Sequence, residues 1–208
     1  MQRALLIVKY LVFSLLAVCF LYACHSNTSR DFSNDYTIDV NLQNYNPKID
    51  PAKYQHLRGK KFCMSNIRNS ARNTSNFSFY SKDSKIRYQL SSLPNYGSPQ
   101  LLQSYFWYAY QKAFLQAGLN AGADCREEDI PELWIILQSF NDEELQFKIT
   151  LLKNRETAYE KDLVVTPAPA SSRNHTALQK HAYDITDLTV VKILDDPGFQ
   201  DVMLKYGK

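Results

Sequence analysis

Leu133-Trp134-Ile135-Ile136-Leu137-Gln138-Ser139-Phe140, then Asn141-Asp142-Glu143-Glu144, then Leu145-Gln146-Phe147-Lys148-Ile149-Thr150-Leu151-Leu152-Lys153, is the stretch that decides the fold. The first run is almost continuously apolar and has the length of a buried strand. Four polar residues turn the chain. In the second run Leu145, Phe147, Ile149 and Leu151 alternate with Gln146, Lys148 and Thr150. That period of two is the mark of a strand with one buried and one wet face. Asn154-Arg155 turns again into Thr157–Val165, and Pro167 and Pro169 end the run. The pattern predicts a three-stranded antiparallel meander.

Ahead of the meander, Lys60–Ile67 reads as a strand with Phe62 and Met64 on one face. Phe77-Ser-Phe-Tyr-Ser and Lys85-Ile-Arg-Tyr-Gln-Leu flank a hairpin turn at Lys82-Asp83-Ser84. Leu93–Gly97 is a break. Ser98-Pro99 then opens the best helix, a capping hydroxyl followed by proline at the first helical position. The helix runs to about Ala117, with Gly118 as its stop. Leu102, Phe106, Ala109, Tyr110, Ala113 and Ala117 share the face assigned to the sheet.

On the opposite face Leu101, Tyr108, Leu115 and Leu119 also line up, which a helix lying on a sheet does not need. Either the C-terminal helix or the N-terminal tether covers this stripe, or it is an exposed partner surface. Residues 124–132 form an acidic loop. A second helix spans about His175 to Leu194, Pro197-Gly198 breaks it, and Phe199–Tyr206 adds a short last turn. The expected class is α+β: an antiparallel sheet of about four to six strands with two main helices packed on it.

The amino-terminal end is of another kind. Arg3, Lys9 and the amino terminus precede an uncharged apolar run, Tyr10–Phe20, and no acid occurs before Asp31. This is the layout of a secretory signal, and the uncharged part is too short to span a bilayer of roughly 30 Å. Leu21-Tyr22-Ala23-Cys24 closes the run. It resembles a lipobox, with an aliphatic residue at minus three, a small one at minus one and then cysteine. The alternatives are an ordinary cleaved signal and an uncleaved signal-anchor. The lipobox resemblance implies a bacterial lipoprotein, acylated at Cys24 and held by two or three chains at about 0.8 kcal/mol per buried CH₂. His25 stands where the inner-membrane retention signal of such lipoproteins has Asp, which points to the outer membrane, facing the periplasm. The expected organisation is a signal over residues 1–23, a lipidated polar tether over 24–56 and one α+β domain over 57–208. Within the tether, Tyr36-Thr-Ile-Asp-Val-Asn-Leu has the alternation of a short strand.

Composition narrows the function. The chain carries 24 basic against 21 acidic residues, and the signal holds two of the bases and no acid. That near-neutral balance argues against a nucleic-acid partner. With 14 Tyr, 11 Phe and 2 Trp there is ample core material. Cys63 and Cys125 are candidates for one disulfide in an oxidising envelope, against two free buried thiols. The four histidines, at 25, 56, 175 and 181, are scattered and no C-x-x-C occurs, so no metal site and no cofactor are expected. Asp142, Glu143 and Glu144 read as a solvated turn rather than acid/base groups. Glu127, Glu128 and Asp129 lack EF-hand spacing. His181 and Asp184 read as a surface pair on the last helix.

The order strand, hairpin, long helix, meander and terminal helix, behind a lipobox and tether, resembles the auxiliary lipoproteins of ABC-type lipid transporters. It is less closely similar to the lipopolysaccharide-assembly lipoprotein. Lys60–Asn69, Ser98–Gly118 with its Ala-Phe-Leu-Gln-Ala-Gly ending, and Leu133–Val165 carry the resemblance. They cover about half the chain by pattern, without a diagnostic motif. The resemblance implies a non-enzymatic adapter, bound to the membrane through its lipid and to an envelope protein through its domain. Among functional residues only Cys24 carries over. The other readings are a periplasmic small-ligand or glycan binder and an envelope hydrolase. Intact mass of the chain from its native membranes is expected to begin at Cys24 and to include acyl mass that Cys24→Ala loses. An unacylated chain cut elsewhere removes the lipoprotein reading.

Overall fold

The computed structural model describes residues 36–72, 74–91, 101–122, 125 and 129–208. The signal, Cys24, the first part of the tether, the Leu93–Gly97 break and Ser98-Pro99 lie outside them. The described residues form an α+β fold. Strands β1 (Tyr36–Val40), β2 (Lys61–Asn69), β3 (Ser78–Tyr80) and β4 (Ile86–Leu90) come first, followed by helix α1 (Leu102–Gln116). Strands β5 (Asn120–Gly122), β6 (Glu132–Phe140), β7 (Leu145–Lys153) and β8 (Glu156–Val165) follow, and helices α2 (His175–Leu194) and α3 (Pro197–Tyr206) close the chain.

The meander forms as the alternation requires. β6 and β7 pair antiparallel through Ile135↔Ile149, and β7 and β8 through Ile149↔Lys161. Asn154 and Arg155 both take positive φ, 54° and 68°, as a tight two-residue hairpin turn demands. The Lys82–Ser84 hairpin also forms, with Ser84 at φ 59°. Two features were not expected. The hairpin joins β1 in a sheet of its own, in the order β1-β4-β3, while the larger sheet runs β5-β2-β6-β7-β8. And β2 lies parallel to both β5 and β6, as β1 does to β4. Parallel neighbours need a long crossover, which α1 supplies between β2 and β5.

The core lies between the large sheet and the helices. Leu133, Ile135, Leu137 and Phe140 of β6, with Leu145, Phe147, Ile149 and Leu151 of β7, are all fully buried. In the same core α1, lying over β2 and β5, buries Leu102, Tyr105, Phe106, Ala109, Tyr110, Ala113 and Phe114. The Phe140 ring joins the layers: it stacks on Phe79 of the small sheet at 4.2 Å and meets Phe106 of α1 edge-on at 5.3 Å. At the other end Phe62 packs edge-on to Phe114 and Phe199. The expected short last turn is a ten-residue helix, α3. Asp196 caps it by accepting from Phe199 N, and Lys161 Nζ reaches the same carboxylate at 2.6 Å.

The expected boundary at residue 57 is corrected. Residues 36–57 belong to the domain and bury Ile38, Val40, Tyr45, Ile49, Tyr54 and Leu57. The segment is a strap laid along α2. Gln179 donates to Asp39 O, Tyr183 OH to Asn41 O, and Asp187 accepts from Tyr45 OH at 2.6 Å and Lys48 N at 3.1 Å. Residues 179, 183 and 187 are four apart and form one ridge of the helix. At its end Asp195 takes Lys53 Nζ and Tyr54 OH. The strap reads as polar tether because 3-10 turns at Leu42–Asn44 and Pro51–Leu57 break any strand or helix period.

Tyr45→Phe leaves the buried Asp187 short of its best donor and is expected to cost about 1.5–3 kcal/mol, the range for a hydrogen bond to a charged group. Tyr110 is the comparison: its hydroxyl is buried beside the Thr189 side chain but makes no hydrogen bond of good geometry. Tyr110→Phe is therefore expected to be neutral or stabilising by up to about 1 kcal/mol in urea denaturation.

The Asp187 carboxyl is raised above 3.8, chiefly by burial, against the lowering effect of Tyr45 and Lys48. A raised carboxyl binds its proton more tightly in the folded chain. Stability therefore falls as pH rises from 3.8 to the raised value and levels off above it. Asp83, Asp129, Glu160 and Asp196 are shifted downward and act in the opposite sense. The difference in urea midpoint between wild type and Asp187→Asn, followed across pH, isolates the Asp187 slope. A difference that does not change with pH contradicts it.

Candidate functional site

The outward face of α1 carries three large apolar side chains in the open: Leu101 is 47% exposed, Tyr108 38% and Leu115 53%. Leu119, expected in the same stripe, is 1% exposed and does not belong to it. The helix C-terminus explains the difference. Gly118 takes φ 93°, its N–H donates to Leu115 O, and Leu119 N–H reaches back to Phe114 O. This is the Schellman arrangement, which folds the residue after the glycine onto the helix end beside Phe114. The helical phase stops at Ala117, and Leu119 turns inward.

The face is uncharged as well as apolar. Between Leu101 and Ala117 the chain has no acid and one base, Lys112. The Lys112 ammonium is committed to Tyr45 O and lies 5.8 Å from the centre of the Tyr45 ring. Trp107 Nε1 donates to Met64 O and Gln111 Nε2 to Ala121 O, so two polar groups beside the stripe are also used. Phe77, 39% exposed, extends the patch at the helix N-terminus, where Asn76 O accepts from Leu102 N. Sequence periodicity could not find Phe77, because it lies in a turn ahead of β3.

A second feature is a cleft of about 960 Å³ where the two hairpin turns meet the connection before α2. Its charged groups hold one another. Asp142 accepts from Lys82 N at 2.9 Å, and its backbone oxygen lies 2.6 Å from His181 Nε2. Lys82 Nζ pairs with Glu143 at 2.9 Å and Arg173 with Asp83 at 3.5 Å. Asn141 Oδ1 accepts from both Glu143 N and Glu144 N, which shapes the turn. The His181–Asp184 surface pair does not form. His181 is 5% exposed and faces Asp142, while Asp184 takes Lys180 one turn back at 2.6 Å. Tyr88, whose hydroxyl lies 3.4 Å from Asp142, is pushed up by burial and by that carboxylate.

Cys63 of β2 and Cys125 are joined as a disulfide, with Cα atoms 5.2 Å apart. It staples β2 to the loop after β5. Of the acidic loop, Glu127 and Glu128 lie outside the described residues, and Asp129 pairs with Lys208 at 2.9 Å. Among the described residues no cluster of three His, Cys, Asp or Glu side chains could hold a metal, and no helix is long and apolar enough to cross a membrane.

No family model matches the chain, and no curated protein does. Among solved structures the chain is similar to an uncharacterized protein at 9% identity and a TM-score of 0.45, covering 66% of this chain and 91% of that one. It is also similar to a Xanthomonas campestris protein assigned to the family DUF330. That match has 10% identity and a TM-score of 0.49, and covers 81% of this chain and 95% of the other.

Proposed function

We propose that this protein is a non-enzymatic, lipid-anchored periplasmic lipoprotein that serves as an adapter or auxiliary subunit of an envelope transport or assembly complex. The observation that carries the reading is the uncharged apolar stripe of Leu101, Tyr108 and Leu115 on α1, open to solvent on a folded domain. Exposed large apolar residues gathered on one helix face are candidates for an interaction site. The scarcity of charge matters too, because Lys112 is the one ionised side chain between Leu101 and Ala117 that burying this face could desolvate.

Three further features support the reading. The Cys63–Cys125 disulfide suits an oxidising compartment. The basic, apolar and lipobox-like beginning of the chain suits export and acylation at Cys24, with the outer membrane as the destination that His25 favours. The order of elements is similar to that of transport auxiliary lipoproteins. A specific observation also favours a second reading: the cleft around Arg173 and His181 has the volume of a small-ligand site. A periplasmic small-ligand or glycan binder requires a molecule retained there in native mass spectrometry.

Leu101→Asp, Tyr108→Asp and Leu115→Asp alter exposed positions and are expected to change folding stability by no more than about 0.5 kcal/mol each. Each is expected to abolish capture of an envelope protein by photocrosslinking in native membranes. If all three unfold the domain, the stripe is core. If all three fold and keep the crosslinked product, the partner site lies elsewhere.

A further inference from the structure

We infer that the outer edge of β8 is a docking site of its own, which takes an extended segment of a partner protein as an added strand. It lies apart from the α1 stripe: the large sheet runs β5-β2-β6-β7-β8, and α1 packs over the β5 and β2 end. An outermost strand turns the N–H and C=O of every second residue away from its neighbour. β8 does so over an unbroken run. Its register against β7 is regular from Tyr159 to Val165, and the one shift falls before that run, at Leu151/Leu152. The other outer strands are covered: Gln179 Nε2 donates to Asp39 O of β1, Gln111 Nε2 to Ala121 O of β5, and Thr74 bridges Phe79 of β3. Among the described residues no loop or side chain bonds the backbone of Glu156–Val165 on its open side.

Charged side chains commonly guard such an edge. On β8 they are turned back over the protein's own surface. Glu160 takes Lys148 and Thr150 of β7, Asp162 takes Gln138 of β6, and Lys161 reaches Asp196 at the start of α3. Beside the edge, β8 and the junction of α2 with α3 form a groove of about 310 Å³, lined by Leu163, Lys192, Asp195, Asp196 and Pro197. An open strand edge beside a groove suits strand addition, in which main-chain bonds hold the segment and the groove selects its side chains. Charge complementarity gives the occupant's chemistry. Asp195 takes Lys53 and Asp196 takes Lys161, which leaves the exposed Lys192 as the groove cation that no described residue pairs. Leu188, 38% exposed, continues the same side of α2 one turn before Lys192, and Val164 on the strand is 45% exposed. The segment that fits therefore sets apolar residues against Leu163 and Val164 and an acid toward Lys161 and Lys192. A second copy of β8 fits worse, because antiparallel pairing through the middle of the run places Asp162 opposite its own counterpart.

The probe is a synthetic peptide, Thr-Val-Val-Thr-Glu-Thr-Thr, whose valines fall opposite Val164 and Leu163 and whose glutamate falls opposite Lys161 in an antiparallel addition. It is titrated into the purified full chain while amide hydrogen exchange is followed. Binding is expected to slow exchange at alternate residues of Tyr159–Val165. Methylating one alternate set of the peptide's backbone nitrogens is expected to abolish binding, and methylating the other set to leave it intact. Lys192→Glu is expected to weaken the peptide about fivefold, the worth of an exposed ion pair, and to favour a version with lysine in place of glutamate. Tyr108→Asp is expected to leave binding unchanged. A peptide that protects no β8 amide, or that tolerates methylation of both sets, overturns the site. Protection that appears without peptide and grows with protein concentration makes the occupant a second copy and overturns the partner segment. If the β8 site fails while the α1 variants still lose their envelope partner, the adapter reading stands without it.

Discussion

Helix α1 carries large apolar side chains on its outward face as well as its inner one, and the sheet has only one face to offer it. That constraint organises the molecule. Tyr105, Phe106, Ala109, Tyr110, Ala113 and Phe114 are buried as α1 lies over β2 and β5, with Phe106 reaching Phe140 of β6, and the small Ala109 and Ala113 let the helix lie close. The rotation that buries those residues leaves Leu101, Tyr108 and Leu115 pointing away from the sheet. No described element covers them, because the strap that could have done so is held on α2 instead. The ridge of Gln179, Tyr183 and Asp187 binds it there, and Lys112 touches it from the α1 side.

The two candidate surfaces differ in what they have left to give. In the cleft each charged group already has a neighbour: Lys82 has Glu143, Arg173 has Asp83, and Asp142 holds Lys82 N while its carbonyl meets His181. A ligand binding there must first displace or share those contacts, and exposed ion pairs of this type contribute at most about 1 kcal/mol each. On α1 no contact has to be broken. The apolar area in contact with water is unsatisfied in the free protein, and covering it gains roughly 25 cal/mol per Å². Of the two surfaces, the helix stands to gain more from a partner.

How far this was legible in the sequence depends on whether local rules controlled each part. The meander and both hairpin turns were, because alternation and turn chemistry act over a few residues. So was the inner face of α1, and so was its stop at Gly118. Leu119 was assigned wrongly because a pure 100° count ignores what a Schellman end does to the residue after the glycine. The strap was misread because its apolar residues occur singly among Asn, Asp and Lys. Its order comes from contacts such as Tyr45 to Asp187, 142 residues apart, which no local pattern encodes. The parallel placement of β2 is likewise a matter of long connections, and a strand's own residues do not report the direction of its neighbour.

Strap and stripe are linked through the same pair of helices. Tyr45 accepts from Lys112 of α1 through its carbonyl and donates to Asp187 of α2 through its hydroxyl. One residue of the amino-terminal segment therefore ties the helix that presents the stripe to the helix that carries the strap. The Lys112 ammonium keeps its charge on the neutral Tyr45 carbonyl, and an intact strap fixes where that charge lies. β1, at the start of the same segment, pairs with β4 of the small sheet, so Tyr45 is fixed between that pairing and β2. The exposed stripe and the amino-terminal segment of the domain thus share one buried junction, at Tyr45, with Lys112 on one side and Asp187 on the other.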